Sequence, residues 1–217
     1  MSKRDYINEI IEKRNRLVEK ADRMENFLQR VHPVVSGFRA IKNLEDEVDY
    51  KNEWLKYSAI GYIACLEGYI RLLIADLINF GEPYTTNVKN FRDIKFSIEN
   101  IVAINLRKVT FGDYISHLLP INSIQDINGN LSTILNIDFL SELKAWPCKV
   151  WNDDPVSKVF PDIIYRPQQL FELRHLYCHE LATKEKVKVD DIEHCISTTA
   201  AFVFFIEEII KEKFLTQ

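Results

Sequence analysis

The stretch Ile60-Gly61-Tyr62-Ile63-Ala64-Cys65-Leu66-Glu67-Gly68-Tyr69-Ile70-Arg71-Leu72-Leu73-Ile74 constrains this chain most. Wound as a helix it is apolar almost all the way round, so it needs neighbours on most of its faces. The helix is expected from about Asp46 to Asn79, with Phe80-Gly81-Glu82-Pro83 as its stop. Glu67 and Arg71 are the charged exceptions, four residues apart and on one side. A buried carboxylate beside an arginine reads first as an ion pair. Gly61 and Gly68 also share a face and would let another helix approach closely.

The rest of the chain supplies further helices. From about Arg4 to Val31, Tyr6, Ile7, Ile10, Ile11, Leu17, Val18, Ala21, Met24 and Leu28 recur at helical spacing. His32-Pro33 is expected to end or kink that helix. Ser36-Gly37 reads as a loop, with a short helical piece over Phe38 to Leu44. Val88 to Asn105 and Phe111 to Leu119 read as helices, Ile121 to Asn130 as a loop with an Asn128-Gly129 turn, and Leu131 to Ala145 as a helix. Trp146 to Pro161 reads as an irregular segment held to the core by its tryptophans. Pro167 opens a helix to about Thr183, and Asp190-Asp191 caps a last one over Ile192 to Phe214. No strand ladder is evident, so the expected fold is an all-α bundle with a long N-terminal helix. A single domain is expected over 1–217, with 1–45 as a helical arm and 46–213 as the core.

Composition fits that reading. Only 6 Gly and 7 Pro occur in 217 residues, too few for a turn-dense β protein. The net charge is -4, so any RNA binding must draw on local positive charge. No apolar run approaches the roughly 18 residues of a membrane span, and no signal peptide is expected. The four cysteines, Cys65, Cys148, Cys178 and Cys195, form no CxxC pair. Free thiols in a reducing cytoplasm are the simplest account, with Cys65 and Cys178 as small packing residues.

Chemistry concentrates in Phe171-Glu172-Leu173-Arg174-His175-Leu176-Tyr177-Cys178-His179-Glu180. Arginine is permanently positive and suited to phosphate. Histidine exchanges a proton near neutral pH. Together they suit a phosphodiester. Arg174 and His179 lie about 140° apart around a helix, so one copy flanks a face without closing a site. Two copies meeting about a dyad would bring both sets into one cleft.

An arginine, a polar residue and a histidine shortly after it, late in a helical chain, resemble the HEPN superfamily. These are all-α, nucleotide-associated domains, many of them metal-independent ribonucleases. Their signature is Arg, four to six residues, then His, often with Asn, Asp or His directly after the Arg. Arg174, His175 and His179 fit it. The helix bearing Glu67 resembles the long HEPN helix with its acidic residue, and Ile192 to Ile210 resembles the helix after the motif. The resemblance spans roughly 46–213, with 84–165 matching only as helical filler. It implies a homodimeric endoribonuclease with no cofactor or metal, serving as a toxin or defence effector. Its partners would be RNA and possible antitoxin or defence-system proteins, away from membranes. Arg174, His175, His179 and Glu67 would be catalytic, and Tyr177, Lys184 and Lys186 would bind substrate. In some HEPN toxins a tyrosine two residues past the motif histidine is modified by a partner enzyme. Leu181 stands there in this chain, so that mode of control is not implied.

Other readings of the same residues stay open. The runner-up is a non-catalytic HEPN-like module that binds nucleotide, RNA or protein through the same cleft. His175 and His179 share a face with Glu172, a spacing that also suits a metal, with His194 or Cys195 as a further ligand. They also suit a purely structural role beside Glu172 and Glu180. Trp54, Trp146 and Trp151 read as core or interface anchors. No Gly-rich phosphate loop or Ser-His-Asp array stands out.

Overall fold

The computed structural model describes residues 5–17, 21–45, 50–92, 94–106, 108–179 and 185–215, the side chain of His179 excepted. The fold is all-α. Helix α1 spans Tyr6–Arg14, α2 Arg23–Lys42, α3 Lys51–Phe80, α4 Tyr84–Asn87, α5 Ile98–Asn105 and α6 Phe111–Leu118. Then follow α7 Ile124–Leu135, α8 Phe139–Ala145, α9 Val156–Val159, α10 Tyr165–His179 and α11 Val189–Ile209, which ends in a π-type turn at Ile210–Phe214.

Two compact units emerge, and α3 contributes to each. In the first, Leu73, Ile74 and Leu77 of α3 are fully buried, as are Ile115 of α6 and Ile127, Leu131 and Ile134 of α7. Gly112 of α6 lies so close to α3 that a Cβ would collide with the Ala75 carbonyl oxygen. Asn79 fixes that approach: its Oδ1 accepts from the Gly112 N–H at 3.0 Å, and its Nδ2 donates to Thr110 Oγ1 at 2.9 Å. In the second unit, Ile63 and Leu66 of α3 are buried, with Leu170 of α10 and Phe202, Ile206 and Ile209 of α11. Gly61 contacts Val34 of α2, with both Val34 methyls 3.4 Å from where a Cβ would stand. Gly68 admits no such neighbour: nothing lies within 4 Å of its would-be Cβ.

The structure differs from the sequence expectation at several boundaries. The single N-terminal helix is two, because Asp22 and Glu25 form a reciprocal cap that starts α2 afresh. Glu25 N–H donates to Asp22 Oδ1 at 2.8 Å, and Asp22 N–H donates to Glu25 Oε2 at 2.9 Å. Pro33 and Ser36-Gly37 do not end α2, which runs through them. An interior proline costs about 3 kcal/mol. Continuing the helix places the buried Phe38 on the face that carries Phe27 and Val31, and burying such a side chain returns about 1.5–3 kcal/mol.

Ile121 to Asn130 is not a loop. Ile124, Ile127, Leu131 and Ile134 recur at helical spacing and are fully buried, which carries α7 through Asn128-Gly129. The break falls instead at Asn136, whose φ of 55° separates α7 from α8. Among the described residues between Val88 and Asn105, only α5 and a 3₁₀ turn over Val88–Asn90 are helical. Ser97 caps α5 by accepting from Asn100 N–H at 3.3 Å.

The Trp146 to Pro161 segment is more ordered than expected. Pro147–Cys148 (β1) pairs antiparallel with Asp154–Pro155 (β2) across a reversal at Asn152 and Asp153, both with positive φ. Cys148 and Val156 anchor it, while Trp151 stays exposed. Helix α10 starts at Tyr165, two residues before Pro167, and α11 starts at Val189.

Candidate functional site

Helix α10 carries the Arg174 segment, and the first part of α3 faces it in the same unit. Glu67 of α3 forms an ion pair with Arg174 of α10, Oε1 to Nη2 3.5 Å. The side chains are 21% and 30% exposed, so the pair is neither sealed nor freely solvated. Arg71, four residues on, reaches α6. The Arg71 guanidinium donates to the carbonyl oxygens of Ser116 at 2.6 Å and Leu119 at 3.3 Å, closing the C-terminal end of α6. Glu67 thus meets an arginine of a neighbouring helix at ion-pair distance. Arginine offers five donors, and Glu67 approaches one nitrogen.

His175 follows on α10 and is exposed. His179 is the last residue of that helix, and its side chain lies outside the described residues. Tyr177 is half-buried, with Lys56 Nζ 5.8 Å from its ring centroid. Lys56 is itself tied to Glu53 at 2.7 Å. Burial pushes the Tyr177 hydroxyl pKa up, helped by the negative charge of Glu185 and by Cys195. Its phenol is protonated at neutral pH and available as a donor. Lys186 is exposed, whereas Lys184 lies outside the described residues.

The metal reading gains no support from the described groups. Glu172 is engaged by Gln168, whose Nε2 donates to it at 3.0 Å. His194 is exposed while its neighbour Cys195 is buried. Burial pushes the Cys195 thiol up to about 11, opposed by Arg166, so it stays protonated at neutral pH and is a poor nucleophile. Among the described residues no three His, Cys, Asp or Glu side chains converge. Cys178 is exposed and does not pack, contrary to the sequence expectation.

One cluster gave no sequence signal because its members lie far apart in the chain. His117 Nε2 donates to Glu9 of α1 at 3.0 Å, and its Nδ1 accepts from Lys13 at 3.3 Å. Burial pushes the His117 pKa down, Lys13 adds to the effect, and Glu9 opposes it. Only the fold brings α1 onto α6, with Arg14 pairing Asp113 at 3.2 Å. No protein-family model, curated protein or solved structure matches the chain.

Proposed function

We propose that the protein is a metal-independent endoribonuclease of HEPN type, acting as a toxin or defence effector in the cytoplasm. The observation that carries this reading is the Glu67–Arg174 pair, with exposed His175 one residue further along α10. Glu67 lies beside the guanidinium at ion-pair distance without a hydrogen bond to its Oε1, and the donors of Arg174 are left for a phosphate. His179 removes the proton from the RNA 2′-hydroxyl, and the resulting oxygen attacks the adjacent phosphorus. Arg174 stabilises the charge that builds on the phosphoryl oxygens, commonly the largest catalytic term. The P–O5′ bond breaks, and a protonated imidazole, His175 or the His179 of a second copy, gives its proton to the leaving 5′-oxygen. The products end in 2′,3′-cyclic phosphate and 5′-hydroxyl. Lys186 lies near enough in sequence to meet the backbone of a bound strand, as does Lys184.

The alternative is a non-catalytic module that binds RNA, nucleotide or protein through the same face. The Glu67 carboxylate favours it, because the pair offsets part of the Arg174 charge that would stabilise a phosphorane while leaving donors that can still bind.

One experiment separates the two. Purified protein is incubated with single-stranded RNA in EDTA, and product ends are read by mass. Cleavage with cyclic-phosphate ends is expected. Arg174→Ala and His179→Ala should each lower the rate by about 10² to 10⁴-fold, the range for an acid–base group. The variants must keep the parent circular dichroism spectrum. Binding without cleavage selects the module, and cleavage that survives both substitutions removes the nuclease assignment. Expression should also arrest growth, with relief by His179→Ala.

A further inference from the structure

A cleft of about 1000 Å³ opens in the first unit and uses none of the residues of the Arg174 cluster. Its volume falls at the upper end of the range for small-molecule sites. Four parts of the chain build it: the start of α1, residues of the Phe91 to Asn100 stretch, α6 running into Pro120, and Asn130 of α7. Most of its wall is apolar, supplied by Ile7, Phe91, Ile94, Phe96, Leu118 and Leu119.

Phe96 gives one side a rigid aromatic surface. Its ring stacks on Tyr114 at 5.3 Å and on Phe111 at 6.0 Å, yet 40% of the residue remains exposed. An exposed phenylalanine held between two rings presents surface without the entropy cost of ordering it.

The polar groups divide into two kinds. Those along the wall are partly engaged. Asn100 donates to the Tyr114 hydroxyl, and Asn130 Nδ2 donates to the Pro120 carbonyl oxygen at 2.8 Å. The Asp5 carboxylate is committed to Asn8. Glu99 is engaged as well. The cations are different. Arg92 and Lys95 line the cleft, are exposed, and have no ion-pair partner among the described residues.

The wall is mostly apolar, and its amides and the Tyr114 hydroxyl are partly spent on internal hydrogen bonds, so it offers few groups to read the edge of a nucleobase, and most polar ligand atoms placed against it would go unpaired. An apolar body meets no such penalty. The two cations at the cleft call for a negative head group. We propose that this cleft binds an amphiphilic anion, a carboxylate on an extended apolar body, with Arg92 and Lys95 holding the head and the Phe96 surface and its aliphatic neighbours covering the body.

The test uses the full chain and sodium dodecanoate, titrated by calorimetry at mildly alkaline pH below the micelle concentration. Saturable binding of one dodecanoate per chain is expected, with dodecanol about tenfold weaker because it lacks the charge. Charge reversal in the double variant Arg92→Glu, Lys95→Glu should weaken dodecanoate about tenfold and leave dodecanol unchanged. Both side chains are exposed, so the melting temperature should hold. A second variant, Ile101→Ser with Val102→Ser, removes exposed apolar surface of α5 outside the cleft and should leave binding intact. Absence of saturable binding overturns the proposal. So does equal affinity for dodecanol, or indifference to the charge reversal. Loss of binding in the Ile101, Val102 variant would move the ligand to the outer face of α5. Displacement of dodecanoate by adenosine monophosphate would make the cleft a nucleotide site.

Discussion

Two single residues give the sharpest tests of this structure. Glu67 and Arg174 are each partly covered, so removing one strands the other away from full solvation. Glu67→Ala should cost about 1–3 kcal/mol, the penalty for leaving a charged or polar group without its partner. Arg174→Ala should cost a similar amount, while the double variant should cost less than the sum. Urea denaturation of the four proteins would read a coupling of about 1 kcal/mol. Additive losses would mean that the pair carries no energy, and Glu67 would then have no part in holding Arg174. The glycines of α3 and α6 make a second comparison. Gly112→Ala places a methyl against the Ala75 carbonyl and within 2.8 Å of the Asn79 amide, so it should destabilise by about 1–3 kcal/mol or more. Gly68→Ala meets open space inside a helix and should stabilise by about 0.5–1 kcal/mol. Thermal melts would show opposite shifts. The sequence marked Gly61 and Gly68 as equals, because spacing along a helix says which residues share a face and not what covers it. The same limit applies to Arg71: its distance from Glu67 along α3 suits a pair, but its bonds to the carbonyls ending α6 were invisible until the chain folded.

At the scale of the element, periodicity was a better guide than turn chemistry. Asn128-Gly129 is a strong turn signal by itself, yet the isoleucines and leucines on either side bury one continuous face of α7. Burial of four such side chains outweighs the local preference of two residues. The start of α2 was readable in principle, since Asp22 and Glu25 stand at capping-box spacing. Helix α1 holds a cluster that no local pattern announces. Its Glu9 and Lys13 grip the two nitrogens of His117, an arrangement that suits the neutral ring protonated at Nε2. Glu9 faces His117 from α1 and favours the charged ring. Lys13 and Arg71 disfavour it, and burial tips the balance so that the folded pKa lies below the ordinary 6.5. The unfolded chain then takes up a proton before the folded one does. Stability should be fully present above about pH 6.5, fall as pH drops through that value, and level off below the lowered folded pKa. Urea midpoints measured from pH 8 to pH 5 would show the fall, and His117→Gln should flatten it. An unchanged slope in the variant would assign the fall to carboxylates elsewhere.

At the scale of the whole molecule, the all-α class followed from the apolar run of α3 and the scarcity of glycine and proline, which are global properties of the chain. The division into two compact units did not, because it depends on which helices each stretch of α3 meets. That division makes it testable whether α3 transmits strain along its length. Leu66 lies in the core of one unit and Ile74 in that of the other, two turns apart on one uninterrupted helix. A helix is cooperative along its length, so loosening one stretch weakens the next. The tryptophans provide a reporter, since Trp54, Trp146 and Trp151 all belong to the unit of Leu66. Ile74→Ala should lower stability by about 2–5 kcal/mol, as large-to-small core substitutions do. If α3 transmits that loss, tryptophan fluorescence and far-ultraviolet circular dichroism will follow the same denaturation curve, both shifted to lower urea. If the units unfold independently, fluorescence will keep its parental midpoint while circular dichroism splits into two steps. Leu66→Ala is the reciprocal case, in which fluorescence must move under either view and only the shape of the dichroism curve decides.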